Sequence, residues 1–247
     1  MKLGIMQPYF FPHLGYFDLI YNVDRWIVFD QAQYIRHGWV NRNRILKTGS
    51  KDWQYIVVPL KKHHQNTKIK DIQVHPDPVW KKRLLGQLQH YKKRAPFFKQ
   101  TLDVVSRCLE NTDTILSRLN AYCLEQVCAY LSIPFCYDYF SELNLPLGPI
   151  NEPGDWALEI SKAMGASLYL NAPGGKDLFD TDQFIQNDIQ LVIRDLMNFT
   201  YDCPGYTFQS CMSIIDVMMW NSPEAILDYL TSQKLDAINT QSPISRR

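Results

Sequence analysis

No stretch of this 247-residue chain approaches the roughly 18 consecutive apolar residues of a membrane-spanning helix. Neither sign of charge dominates. The 26 Lys and Arg stand against 25 Asp and Glu, a net charge of +1, which gives no general pull toward nucleic acid or acidic lipid. Any anion must therefore be met by a local site. The first residues also lack the basic start and apolar run of a secretory signal, so a cytoplasmic location is expected. The six cysteines (Cys108, Cys123, Cys128, Cys136, Cys203, Cys211) form no Cys-x-x-Cys pair, and four of them fall in apolar segments. Buried, reduced thiols are expected rather than disulfides or zinc. Adjacent His63 and His64 project in different directions in any regular structure, so no metal site is implied.

What is present suffices for a core. Hydrophobic residues make up 46% of the chain and charged residues 21%, a balance that suits one folded α/β domain over residues 1–234. The polar tail, 235–247, is expected to be mobile. Leu3 to Met6 reads as a buried strand, Gln7 to Pro12 as a loop and His13 to Asn22 as a helix. Trp26 to Phe29 reads as a second strand that delivers Asp30 at its carboxyl end. Trp53 to Leu60 is a third strand candidate, and Ile69 to Val74 alternates as a fourth that could pair with it. Asp77-Pro78 opens a helical stretch, with helices expected over 78–93, 99–109 and 113–131. A short strand at 135–139 and a Pro- and Gly-rich loop over 146–154, a hinge or lid, follow. Then come a helix at 155–164, strands at 167–171 and 190–194, and helices at 210–220 and 223–230. The expected architecture is α/β, a Rossmann-like, mostly parallel sheet with a helical insertion at about 78–131 and its pocket at the carboxyl ends of the strands.

The chemistry-bearing residues cluster in a few places. Asp30 and His13 are the candidates to accept a proton, and Gln7 and Tyr9 lie in the loop that leads into His13. Asn41, Arg42, Asn43 and Arg44 read as a strand-edge loop whose guanidinium forks and amides suit phosphate or carboxylate. In an extended segment Arg42 and Arg44 point to one side, expected to be the pocket mouth beside the Gln7–Pro12 loop. Tyr34 and Trp39 could stack on a base or sugar ring, or belong to the core. Of the basic run Lys61, Lys62, His63 and His64, Lys61 follows a buried strand most directly. Asn171 to Asp177 carries Gly174 and Gly175, which would let backbone amides approach a ligand, although it matches neither a P-loop nor a dinucleotide fingerprint. Asp216, amid Ile214, Ile215, Val217 and Met218, must be paired, capped or functional if buried.

Two resemblances add to this. His13-Leu14-Gly15-Tyr16 resembles a degenerate His-x-Gly-His signature of nucleotidylyltransferases, with Tyr16 in place of the second histidine, which would imply ATP and an acyl-adenylate. Six blocks in order, Gln7-Pro8-Tyr9-Phe10-Phe11-Pro12 with Gly15-Tyr16-Phe17, Asp30 with Gln33-Tyr34, Gly38-Trp39 and Asn41 to Ile45, Tyr91-Lys92-Lys93 with Ala95 to Phe98, Gly174-Gly175 with Asp177 to Phe179, and Ser213 to Val217 with Asn221, resemble the WbqC-like family over roughly residues 1 to 230. Members of that family resemble products of O-antigen and other surface-polysaccharide clusters. The resemblance implies acyl or aminoacyl transfer, of glycine for example, to the amine of a nucleotide-activated amino sugar, with an activated acyl donor as second partner and no resident cofactor. A non-catalytic sugar-nucleotide binding module is the other expectation. Convergence of Asp30, Asp216 and the Asn-Arg-Asn-Arg block on one cleft would separate the two.

Overall fold

The computed structural model describes residues 1–49, 52–194 and 199–233; the tail at 235–247 lies outside them. β1 (Lys2–Met6), α1 (Leu14–Tyr21) and β2 (Arg25–Val28) form the expected opening. Two further strands, β3 (Arg42–Leu46) and β4 (Trp53–Val57), pair antiparallel in a small sheet of their own. Helices α2 (Val79–Leu88), α3 (Phe98–Glu110) and α4 (Leu116–Tyr130) follow. The chain then returns to the main sheet through β5 (Tyr137–Tyr139), α5 (Asp155–Ala163), β6 (Leu168–Asn171), α6 (Thr181–Gln186) and β7 (Gln190–Ile193). It closes with α7 (Ile214–Trp220) and α8 (Pro223–Ser232).

The main sheet has the order β5-β2-β1-β6-β7, and every pairing in it is parallel. Alternation divides its side chains between two cores. Leu3, Ile5, Ile27 and Tyr169 face one cluster with Ile160 of α5 and Phe184 of α6. Trp26, Val28, Leu168 and Leu170 face the larger one, built with α1, α3, α4 and α7. The insertion between β2 and β5 is therefore wider than 78–131, since it begins with the β3-β4 sheet.

Three local expectations are corrected. Ile69–Asp71 is a 3-10 turn rather than part of a strand, because Ile69 and Ile72 are spaced to bury one side of a turn. Its expected pairing with the third strand shrinks to a single bridge, Leu60 to Val74. The real partner of β4 is the Asn-Arg-Asn-Arg block itself, which is β3 rather than a loop. Finally, α6 was absent from the sequence reading; Asp180 caps it by accepting from the Asp182 and Gln183 N–H groups.

One irregular segment organises the interior. The Gln7–Pro12 loop leaves the end of β1 with no regular partners, so its carbonyls need donors from elsewhere. Asn120 of α4 donates to Pro8 O at 2.8 Å. Asn43 of β3 donates to Phe10 O at 3.1 Å and Phe11 O at 2.9 Å. Ser213, the N-cap of α7, donates to Phe11 O at 2.8 Å, and Tyr16 of α1 donates to Gln7 O at 2.7 Å. Phe11 is held at φ 40, a left-handed conformation of order 1–3 kcal/mol uphill for a non-glycine residue. Asn43→Ala should strip donors from two buried carbonyls and lower stability by about 2–4 kcal/mol. Urea unfolding checks this as a fall in midpoint at unchanged m-value.

Candidate functional site

β1 has β2 on one side and β6 on the other, and the connections leave these neighbours in opposite directions. Such a switch point opens a crevice at the carboxyl ends of the strands. Here it holds a cleft of about 1130 Å³. After β1, Gln7, Tyr9 and His13 line it; after β2, Phe29, Gln31 and Gln33; after β6, Asn171, Gly174 and Gly175. Trp39 stands at the rim, 38% exposed. Trp156 and the Ile150 to Pro153 segment supply the remaining wall. Among the described residues the lining carries one formal charge, that of Glu152, set among aromatic rings and neutral amides.

The walls are fixed locally. Gly154 crosses the Leu178 carbonyl so closely that a Cβ there would lie 1.9 Å from the oxygen. Asp155, at the start of α5, accepts from the Asn151 and Glu152 N–H groups at 2.7 and 2.9 Å. These two bonds lower its pKa and fix the backbone that carries Glu152. A Cβ on Gly175 would lie 2.8 Å from the Asn171 amide nitrogen. That amide donates to the Tyr169 hydroxyl at 2.9 Å, and its oxygen accepts from Ala172 N.

His13 caps α1 and sits where the cleft meets two smaller recesses. Its Nδ1 accepts the Gly15 N–H at 3.2 Å, so in the neutral ring the proton resides on Nε2. Burial, with the Arg44 guanidinium adding to it, pushes the imidazole down to about 4. At neutral pH His13 therefore offers an uncharged N–H donor.

The other sequence candidates are dispersed. Asp30 is buried directly behind Phe29 and Gln31, and both carboxylate oxygens are engaged by Ser141, whose N–H and hydroxyl donate at 3.0 and 2.6 Å. Asp216 is fully buried and accepts from the hydroxyls of Tyr91 and Tyr201; burial raises its pKa against the pull of those donors. Asn43 faces inward to the Gln7–Pro12 loop, while Arg42 and Arg44 share the opposite side of β3. Arg42 lies 4.2 Å over the Tyr55 ring and Arg44 5.2 Å from that of Trp53. Arg44 reaches a recess beside Pro12 and His13. Arg42 turns instead into an open groove with Tyr34, Asn41 and Lys61, where the Tyr34 hydroxyl donates to Asn41 Oδ1. Sequence reading missed Glu152, Trp156, Gln31 and Gln33. The Pro- and Gly-rich loop was the available signal for Glu152.

Over residues 7–228 the sequence matches the WbqC-like protein family. This chain belongs to that family. A relative in sequence, the uncharacterized protein Rv1507c of Mycobacterium tuberculosis, is 30% identical over 232 residues, which cover 93% of this chain and 97% of the relative. No solved structure matches this WbqC-like chain. Among its described residues, no helix is long and apolar enough to cross a membrane.

Two measurements follow. Because the folded-state pKa of His13, about 4, lies below its ordinary 6.5, the unfolded chain takes up a proton between those values that the folded chain does not. Stability should thus fall as pH drops through this window, by at most about 3 kcal/mol from this group. His13→Asn keeps a capping acceptor and should flatten that part of the profile in urea melts between pH 7 and 4. Asp30→Asn, which weakens the Ser141 clasp, should cost about 1–3 kcal/mol in the same melts at pH 7.

Proposed function

We propose that the protein transfers an acyl or aminoacyl group, glycyl being the smallest case, to the amine of a nucleotide-activated amino sugar in bacterial surface-polysaccharide (O-antigen) biosynthesis. The supporting observation is the make-up of the cleft, in which aromatic rings alternate with neutral amides around one carboxylate. Sugar rings offer apolar faces to aromatics and hydroxyl edges to amides. At about 1130 Å³ the cleft also exceeds the roughly 300–1,000 Å³ of a single-ligand pocket, so a sugar nucleotide and an acyl donor fit side by side.

In this reading the neutral amine attacks the activated carbonyl, a C–N bond forms and the bond from carbonyl carbon to leaving group breaks. Charge gathers on the carbonyl oxygen, where side-chain and loop amides of the cleft wall donate to it. The amine must lose a proton, and Glu152 is the carboxylate in the cleft wall that accepts it. No covalent acyl-enzyme is involved.

A binding module without catalysis is the second reading. It is favoured by the engagement of Asp30 and Asp216 within the fold rather than in the cleft. Thermal-shift screening of nucleotide amino sugars comes first; a ligand at 100 times its dissociation constant stabilises by about 2.7 kcal/mol. Incubation of the best binder with activated glycyl and acetyl donors should then yield an amide. Glu152→Gln should slow that step by about 10² to 10⁴-fold with little change in binding. Binding with no amide from any donor supports the module, and no binding at all removes both readings.

A further inference from the structure

Arg44 has an unusual environment for a cation. Its guanidinium lies between two indole rings, 5.4 Å from the centre of Trp39 and 5.2 Å from that of Trp53. Its Nε is buried with no hydrogen-bond partner, and a terminal nitrogen donates to the Cys211 carbonyl at a long 3.3 Å. Among the described residues no carboxylate pairs with it. A partly desolvated guanidinium with an idle donor is costly unless something acidic completes it.

The surroundings indicate what that is. Arg44 lines a recess of about 170 Å³ together with Tyr9, Pro12, His13, Trp39 and Cys211. Tyr9, His13 and Trp39 also line the main cleft, so the recess is a side chamber of the cleft rather than a separate surface feature. Its donors come from different elements: the guanidinium from β3, the His13 Nε2–H from the cap of α1, and the Tyr9 hydroxyl, whose pKa burial raises, from the loop between β1 and α1. A planar carboxylate is satisfied by one guanidinium fork, whereas a tetrahedral phosphoryl group spreads its oxygens and calls for donors from several directions. The indole faces hold the guanidinium in place without neutralising it.

From this we infer that the Arg44 recess binds a phosphoryl group of the ligand whose uncharged body occupies the aromatic cleft. The inference deepens the sugar-nucleotide reading, because it puts the anion beside Pro12 rather than in the more basic groove of Arg42 and Lys61. It also explains how a cleft with a single negative charge in its wall can accept a phosphorylated molecule.

The test uses the whole chain and inorganic phosphate at neutral pH, with acetate at matched ionic strength as the control. The His13 ring resonance, assigned by its loss in His13→Asn, should shift saturably with phosphate and not with acetate. The apparent pKa of His13 should rise from about 4 when sulfate, which stays a dianion over this range, is present. Arg44→Met keeps an unbranched stem between the indoles and should weaken phosphate binding at least about tenfold. Lys61→Met should leave it unchanged. An unmoved His13 signal in the wild-type protein overturns the inference even if Arg44→Met fails to fold. Equal shifts with acetate, or loss of binding in Lys61→Met rather than Arg44→Met, overturn it as well. Nucleotide amino sugars that bind Arg44→Met as tightly as wild type defeat this inference and leave the proposed function standing. Phosphate bound at Arg44 with no response to any nucleotide sugar does the reverse.

Discussion

The capture of backbone carbonyls in the Gln7–Pro12 loop is the constraint on which the rest of this structure depends. A chain leaving the central strand of a parallel sheet usually enters a helix within a few residues. Here it first makes an irregular turn containing two prolines and one left-handed phenylalanine, and that turn is buried. Donors reach it from β3, α4, α7 and α1, through Asn43, Asn120, Ser213 and Tyr16. Parts of the chain as distant as residues 43 and 213 are thus tied to the floor of the cleft. Removing the loop's shape would separate the insertion from the sheet as well as blunt the site.

The strands and helices of the main sheet were legible because apolar periodicity is a direct record of burial: Leu3 to Met6, Trp26 to Phe29 and Ser167 to Asn171 could each be placed from their own residues. β3 was not legible, since its polar side chains satisfy themselves in ways that composition does not reveal. Asn43 is buried because a loop 32 residues away supplies its acceptor, and Arg42 and Arg44 are extended because aromatics of β4 lie under them. The same limit applies to the site. A strand's carboxyl end predicts where Asp30 sits, but not that Ser141, 111 residues later, occupies both of its oxygens. The loops after β1 and β6 could be read as pocket walls because each follows a predicted strand, the second with two glycines; that the two strands are neighbours is visible only in the fold. Glu152 escaped because a Pro- and Gly-rich loop does not specify which way its side chains point.

The placement of charge follows a consistent division. The cations of the β3 region divide between two places, Arg44 toward the cleft and Arg42 toward the open groove with Lys61. The carboxylates near the sheet, Asp30 and Asp216, are turned into the fold and bonded to hydroxyl groups. The cleft is left with polarity but little net charge, a surface that grips by shape, stacking and neutral hydrogen bonds. His13 fits that pattern, since its burial, reinforced by the neighbouring guanidinium, keeps the ring uncharged.

The central position of β1 also governs how the molecule can be made. Lys2 pairs with Leu168, and the N–H of Ser167 donates to the carbonyl of Met1. During synthesis the first strand therefore emerges long before one of its two neighbours exists. Until β6 has left the ribosome, one edge of β1 remains unpaired, and until Ser213 follows, the Phe11 carbonyl lacks one of its donors. Long-range closure of this kind slows folding and exposes strand edges to other chains. The nascent protein is accordingly most vulnerable to aggregation while its helical insertion is already complete and its cleft is still half built.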